Sequence, residues 1–171
     1  MILTLNFTFC NFMAGILLDN KTAAETSAKL LSLKKRFAAE ELQFGDILPL
    51  ILTDNGGEFS DIFTIENGLD KQKETYLFFC DPMQSCQKPR VEKNHTLLRD
   101  IIPKGRSFDS FTQDTVNLIF SHVNSVKRKS LHGKTPYEMF AFAYGEKTAE
   151  VFGILPIPAD FVIQSSKLLN R

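Results

Sequence analysis

The sequence of 171 residues predicts an α/β fold, and three stretches carry that expectation. Near the start, Leu3, Leu5, Phe7 and Phe9 alternate with Thr4, Asn6 and Thr8, the two-residue period of a half-buried strand. Thr22-Ala-Ala-Glu25 then has capping-box spacing, the signature of a helix start. The apolar run of residues 47–53 reads as a strand that ends against a carboxylate, Asp54, and the turn Asp54-Asn55-Gly56-Gly57. The length suits one domain, or one domain with a tail, large enough to bury a core.

Taken in order, the first element is a hairpin: strand 2–9, a turn near Cys10 and Asn11, strand 12–18. Residues 1–18 carry no charge, the first being Asp19, so a signal peptide and a membrane span are competing possibilities. No basic stretch precedes the apolar residues, which opposes a signal peptide. Strand alternation, interrupted by Asn11 and Gly15, opposes a membrane helix. The helix after Thr22 places Leu30, Leu33 and Phe37 at helical spacing, with Lys34, Lys35 and Arg36 near its negative carboxyl end. After a loop containing Gly45, the run into Thr53, unbroken apart from Pro49, reads as a strand buried on both faces. Residues 60–74 read as an irregular polar insertion with a turn at Asn67-Gly68. Residues 75–80 form the next strand, stopped by Asp81-Pro82. Pro89 suits the first position of a further helix, which Pro103 and Gly105 close. On it Val91, His95, Leu98 and Ile102 share one face, and Glu92, Thr96 and Arg99 another.

Composition narrows the function classes. Apolar content of 43% and charged content of 23% are those of an ordinary globular protein. Three cysteines, Cys10, Cys80 and Cys86, lack paired spacing, which argues against a disulfide framework and for a reducing compartment. His95, His122 and His132 lack zinc-site spacing. The net charge of zero hides an asymmetry. Between Lys88 and Lys134 ten basic residues face four acids, so that stretch is strongly positive and the remainder equally negative. A basic segment around the acid Glu92 has the form of a phosphate-backbone site, although a solvated charged face has the same composition.

Asp54 and Glu92, with 37 residues between them, are the acids placed for chemistry. A carboxylate at a strand end and one near a helix start can hold a divalent metal against phosphate, while Arg99 grips a neighbouring phosphate. A surface glutamate on an amphipathic helix fits the same spacing, so on spacing alone both uses of Glu92 stay open.

Several longer motifs resolve the ambiguity. Thr-Asp-Asn-Gly-Gly-Glu-Phe (53–59), Cys-Asp-Pro-Met (80–83), Gln-Lys-Pro-Arg-Val-Glu-Lys-Asn-His (87–95) and Arg-Asp-Ile-Ile-Pro-Lys-Gly (99–105) resemble the insertion-sequence-30 family of bacterial transposases. Ser-His-Val-Asn-Ser (121–125) and Arg-Lys-Ser-Leu-His-Gly-Lys-Thr-Pro-Tyr-Glu (128–138) look like that family's C-terminal segment. The motifs occur in the family's order, from about residue 2 to 153. The resemblance implies an RNase H-like integrase core, a mixed sheet flanked by helices, in which two Asp and one Glu bind two divalent metals, Mg²⁺ or Mn²⁺. It matches Asp54 to the second Asp and Glu92 to the Glu, as catalytic and metal-binding residues. It implies DNA as partner, both insertion-sequence ends and target, with Lys88, Arg90, Lys93, Arg99, Lys104 and Arg106 as backbone-binding residues, Lys88 and Arg99 foremost. Glu58, Asp81 and His95 also match family positions. A bacterial cytoplasmic, nucleoid-associated protein without a membrane segment, able to form homo-oligomers, is implied as well.

The departures set further expectations. No acid precedes Asp19, so the family's first Asp and the first strand that carries it are expected to be missing, giving an N-terminally truncated core. Position 89 is Pro where the family pattern has Gly. The expected division is a partial catalytic core over 1–140 and a C-terminal tail segment over 141–171. Three functions stay open: a transposase whose missing Asp comes from another polypeptide or by frameshifting, a catalytically silent core that still binds DNA, and an unrelated membrane or interaction protein. The second is preferred.

Overall fold

The computed structural model describes residues 1–81 and 96–170, and the chain divides into two compact units. One comprises Met1 and Leu18–Gln87; the other comprises Ile2–Leu17 and Lys88–Arg171. Both mix strands with helices, so the α/β class expected from the sequence is observed.

The second unit begins with the hairpin, β1 (Ile2–Phe7) and β2 (Phe12–Leu17), paired antiparallel from Ile2 against Leu17 to Phe7 against Phe12. Asn11 occupies the left-handed region (φ 59°) at the end of the connecting loop. Residues 96–101 are helical, here α4, and the chain leaves the helix ahead of Pro103 as expected. Leu98 is half-buried and Ile102 buried, whereas Thr96 and Arg99 are exposed, in agreement with the two predicted faces. The rest of the predicted helix, with Val91, Glu92 and His95, lies outside the described residues. Helix α5 (Gln113–Asn124) is capped by the Thr112 hydroxyl and packs on β2. Helices α6 (Pro136–Tyr144) and α7 (Glu146–Val151) meet at Gly145. The core between hairpin and helices is aromatic: Phe12 stacks on Phe140 with centroids 3.9 Å apart, and Phe7 meets Phe12, Phe140 and Phe152 edge-on.

Two amides of α5 complete the hairpin's outer edge. The Asn124 side chain accepts from the Met13 N–H at 2.9 Å and donates to the Met13 carbonyl at 2.7 Å. Gln113 accepts from the Leu17 N–H and donates to the Gly15 carbonyl, both at 2.8 Å. These are the alternate residues of β2 that β1 leaves unpaired. Gly15 lies inside the strand, where a Cβ would stand 2.2 Å from the Phe120 ring. Its lack of a side chain lets the helix lie this close. The chain after Gly153 runs back over α5: Leu155, Ile157 and Ile163 donate their N–H groups to Ser121 Oγ, Ser125 Oγ and His122 Nδ1.

The first unit is built on helix α1 (Ala23–Ala39). The Thr22 hydroxyl caps it as predicted, but Glu25 reaches past the N-cap to accept from Asp19 and Asn20, at 2.5 and 2.7 Å. The Asp19 N–H, foremost, holds the Glu25 carboxyl below the usual carboxylate range. A short helix, α2 (Phe44–Ile47), leads into β3 (Leu50–Thr53), which pairs in parallel with β4 (Tyr76–Phe79) from Leu50 against Tyr76 to Thr53 against Phe79.

Two expectations for this unit are corrected, and one lysine takes a further role. Strand β3 is not buried on both faces: Leu50 and Leu52 are 55% and 44% exposed, since nothing among the described residues covers that face of the two-stranded sheet. The insertion at 60–74 is ordered, with helix α3 (Ile62–Glu66) capped by Asp61, and a turn in which the Gly68 N–H donates to the Gln72 carbonyl and Lys71 takes φ 64°. Lys34 of α1 serves another helix besides its own. It is buried, donating to the carbonyls of Thr64, Ile65 and Asn67 at 2.5–3.3 Å, with the Glu74 carboxylate at 2.8 Å. A cation therefore satisfies the carboxyl end of α3, where carbonyls outnumber N–H groups.

Among the described residues no helix is long and apolar enough to cross a membrane.

Candidate nucleic-acid and metal site

Asp54 follows directly on β3, where the Cys80 N–H donates to the Thr53 carbonyl at 2.8 Å and closes the parallel ladder. Asp54 and Asp81 thus lie just beyond the carboxyl ends of two adjacent parallel strands, the usual ligand side of parallel sheets. The Asp54 carboxylate is exposed and accepts from the Thr53 hydroxyl at 3.4 Å, a long contact that leaves its oxygens open to solvent ligands. The turn that aims it does not depend on a left-handed glycine: Gly56 has φ −77°. A Cβ at Gly56 would meet the Glu58 carboxylate at 2.4 Å, so a side chain there would move Glu58. Glu58 in turn pairs with Lys21 at 3.1 Å, which gives this acid a structural contact in the first unit.

The exposed face of the β3–β4 pair is apolar. Leu50, Leu52, Phe78, Phe79 and Asp81 line an open depression beside the strand ends.

Of the six predicted DNA-binding residues, Arg99, Lys104 and Arg106 are described. All three are exposed and form no ion pair with a described acid, so their charge is available to a polyanion. Lys104 and Arg106 stand on a turn closed by the Arg106 N–H and the Pro103 carbonyl at 3.3 Å, with Gly105 at φ 84°. Lys88, Arg90, Glu92 and Lys93 lie outside the described residues, as do Cys86 and His95.

A second basic turn, counted in the sequence only as charge, joins α5 to α6. The Arg128 N–H donates to the Lys134 carbonyl at 2.9 Å, and the Gly133 N–H returns to the Arg128 carbonyl at 3.0 Å. His132 (φ 53°) and Gly133 (φ 83°) make the reversal, and at both the left-handed conformation is required. The signal that could have marked this turn is His132-Gly133 just before the Thr135-Pro136 helix start.

The divalent metal implied by the family resemblance would need several oxygen donors around Asp54. Among the described residues no three His, Cys, Asp or Glu side chains come together to hold an ion. Asp54 supplies one hard oxygen donor of the type Mg²⁺ takes, and one donor is not a site. The described residues thus supply one of the donors that a metal would need, and Glu92 lies outside them.

Comparison with known proteins gives the chain its relatives. It is 33% identical over 95 residues to the transposase for insertion sequence element IS4351 of Bacteroides fragilis, a match covering 56% of the chain and 28% of that protein. It is 31% identical over 126 residues to the putative integrase ORF3 of Spiroplasma virus SpV1-R8A2 B, covering 74% of the chain and 36% of the relative. It is 31% identical over 77 residues to transposase InsI for insertion sequence element IS30A of Escherichia coli K12, covering 45% and 18% respectively. The chain thus spans little more than a third of the length of these relatives at most. No protein-family model matches it.

Proposed function

We infer that this chain, a relative of the insertion-sequence transposases, carries part of a DNA strand-transfer core and binds DNA through its backbone charge. The observation that carries this is Asp54: an exposed carboxylate at the end of a parallel strand, inside the motif Thr-Asp-Asn-Gly-Gly-Glu-Phe that the sequence shares with such enzymes. The antiparallel hairpin and the parallel pair are each what an RNase H-like core contains, which supports that fold without fixing it. In this reading Asp54 and Glu92 belong to a triad of acids that holds Mg²⁺ or Mn²⁺ against the scissile phosphate. When bound, such ions would activate the attacking oxygen and stabilise the leaving one. The part assigned to this chain's own residues is narrower. Arg99, Lys104 and Arg106, with Lys88, Arg90 and Lys93, neutralise phosphate and position the duplex without reading its sequence.

The chain is proposed to retain DNA binding without cleaving DNA by itself, with homo-oligomers as a further expectation.

The test is direct. The full chain is incubated with nicked, end-labelled duplex and Mn²⁺, and in parallel its retention on the duplex is followed from low to high salt. Retention should fall steeply with salt, because each neutralised phosphate releases counterions. No cleavage is expected. Metal-dependent cleavage that disappears in Asp54→Ala would overturn the silent assignment, and retention insensitive to salt would overturn the DNA-binding one.

A further inference from the structure

We propose that the turn from Lys127 to Lys134 is a docking surface for the phosphate backbone of duplex DNA. The proposal rests on the DNA-binding reading above and adds a surface to it, one that includes none of the six basic residues already assigned.

The turn is a fixed scaffold. Besides the two bonds that close it, the Leu131, His132 and Lys134 N–H groups donate to the carbonyls of Arg128, Lys129 and Leu131, at 3.0–3.1 Å. Leu131 is buried beneath it, and Arg128 points inward, its guanidinium donating to the Val123 carbonyl at 3.1 Å. Everything presented outward is polar: Lys127, Lys129, Ser130, His132, Gly133 and Lys134 are all exposed. None of the three lysines forms an ion pair with a described acid. The acid whose charge Lys134 and Lys127 feel, Glu138, is already engaged, its carboxylate accepting from the Thr135 N–H at 2.7 Å while the Thr135 hydroxyl accepts from the Glu138 N–H. That backbone bond first, then the charges of Lys134 and Lys127, keep Glu138 ionised to lower pH than an ordinary glutamate.

Like charges held together on a rigid turn repel one another, and a polyanion relieves that repulsion without any rearrangement of the chain. Lysine offers a point charge rather than a planar fork, which suits phosphate oxygens and not base edges, so the contact carries no sequence preference. A membrane surface is disfavoured because basic segments that enter lipid interfaces pair their cations with exposed apolar residues, and the apolar residue of this turn faces inward.

The experiment uses the full chain and a duplex of arbitrary sequence, with binding followed by fluorescence anisotropy across a salt series. The triple variant Lys127→Gln, Lys129→Gln, Lys134→Gln should bind about fivefold to tenfold more weakly per lysine at ~0.1 M salt. Its salt slope should fall by about 0.9 for each lost phosphate contact. Replacing the same three lysines by Arg should preserve both quantities. A control triple, Lys35→Gln, Arg36→Gln, Lys167→Gln, removes equal charge from other exposed positions and should stay within about twofold of wild type. Matching thermal melts confirm that every variant folds. Wild-type affinity in the Gln triple, beside normal salt-dependent binding by the parent, overturns the surface and leaves the DNA-binding reading intact. No DNA binding by the parent overturns that reading and the surface with it. Equally tight, lysine-dependent binding of phosphatidylserine vesicles or polyglutamate also overturns the assignment to DNA.

Discussion

Lys34 stands beside Lys35 and Arg36, and by composition the three are interchangeable. In the folded chain Lys35 and Arg36 are exposed while Lys34 is 2% exposed, enclosed by three carbonyls and Glu74, with its ammonium 5.1 Å from the centre of the Phe44 ring. Removing it would strand those acceptors and an acid that is itself mostly covered. Lys34→Met is expected to destabilise the first unit by about 3–5 kcal/mol, as breaking a buried pair does, whereas Lys35→Met should change stability by less than about 0.5 kcal/mol. Urea denaturation of the two variants decides this, and equal midpoints would show that the buried ammonium is not needed. This role could not be seen in the sequence because the partners lie 30 to 40 positions further on, in a segment that reads as polar and irregular. Asp54, by contrast, was legible. Its signal is local: an apolar strand, an acid, then a turn with two glycines.

At the scale of elements, the hairpin was legible from two-residue alternation and a polar turn, and the described half of the helix that ends before Pro103 from its two faces. The way the hairpin is finished was not. Asn124 and Gln113 read as ordinary polar positions on a helix, and they gain meaning only beside the unpaired edge of β2, 96 to 111 positions away. Gly15 likewise reads as a strand breaker, while in fact it admits the Phe120 ring. Gly15→Ala should therefore cost about 2 kcal/mol or more by forcing the helix off the strand, in the range of core overpacking. Asn124→Leu should cost roughly 1–3 kcal/mol for each Met13 group it leaves unpaired. Thermal melts of both variants measure this, and an Asn124→Leu protein as stable as the parent would mean that the edge does not need its amide. The buried strand read before Asp54 failed for the opposite reason. An apolar run states that cover is wanted, not that it is present, and Leu50 and Leu52 lie exposed.

At the scale of the whole molecule, each unit holds, among the described residues, a two-stranded sheet with an outer edge on each strand. In β3 that edge is marked. The carbonyls of Pro49 and Thr53 serve β4, so Leu50 and Leu52 direct their backbone groups the other way, and the far edge of β4 is occupied where the Leu77 N–H donates to Glu66. An open edge with apolar side chains favours pairing with another chain. Concentration-dependent association is expected in sedimentation, and Leu52→Lys should shift it towards monomer; a parent that stays monomeric at tens of micromolar would refute this. The division of the chain has another consequence, in time. The second unit is discontinuous, its hairpin made first and its closing amide, Asn124, following Met13 by 111 residues. At roughly 5–20 residues per second on the ribosome, the finished hairpin waits about 5–20 s for the helix that seals it. Through that interval its apolar strands are in the hands of the ribosome surface and the cell's chaperones, and the yield of native protein depends on how well they are shielded before the helix arrives.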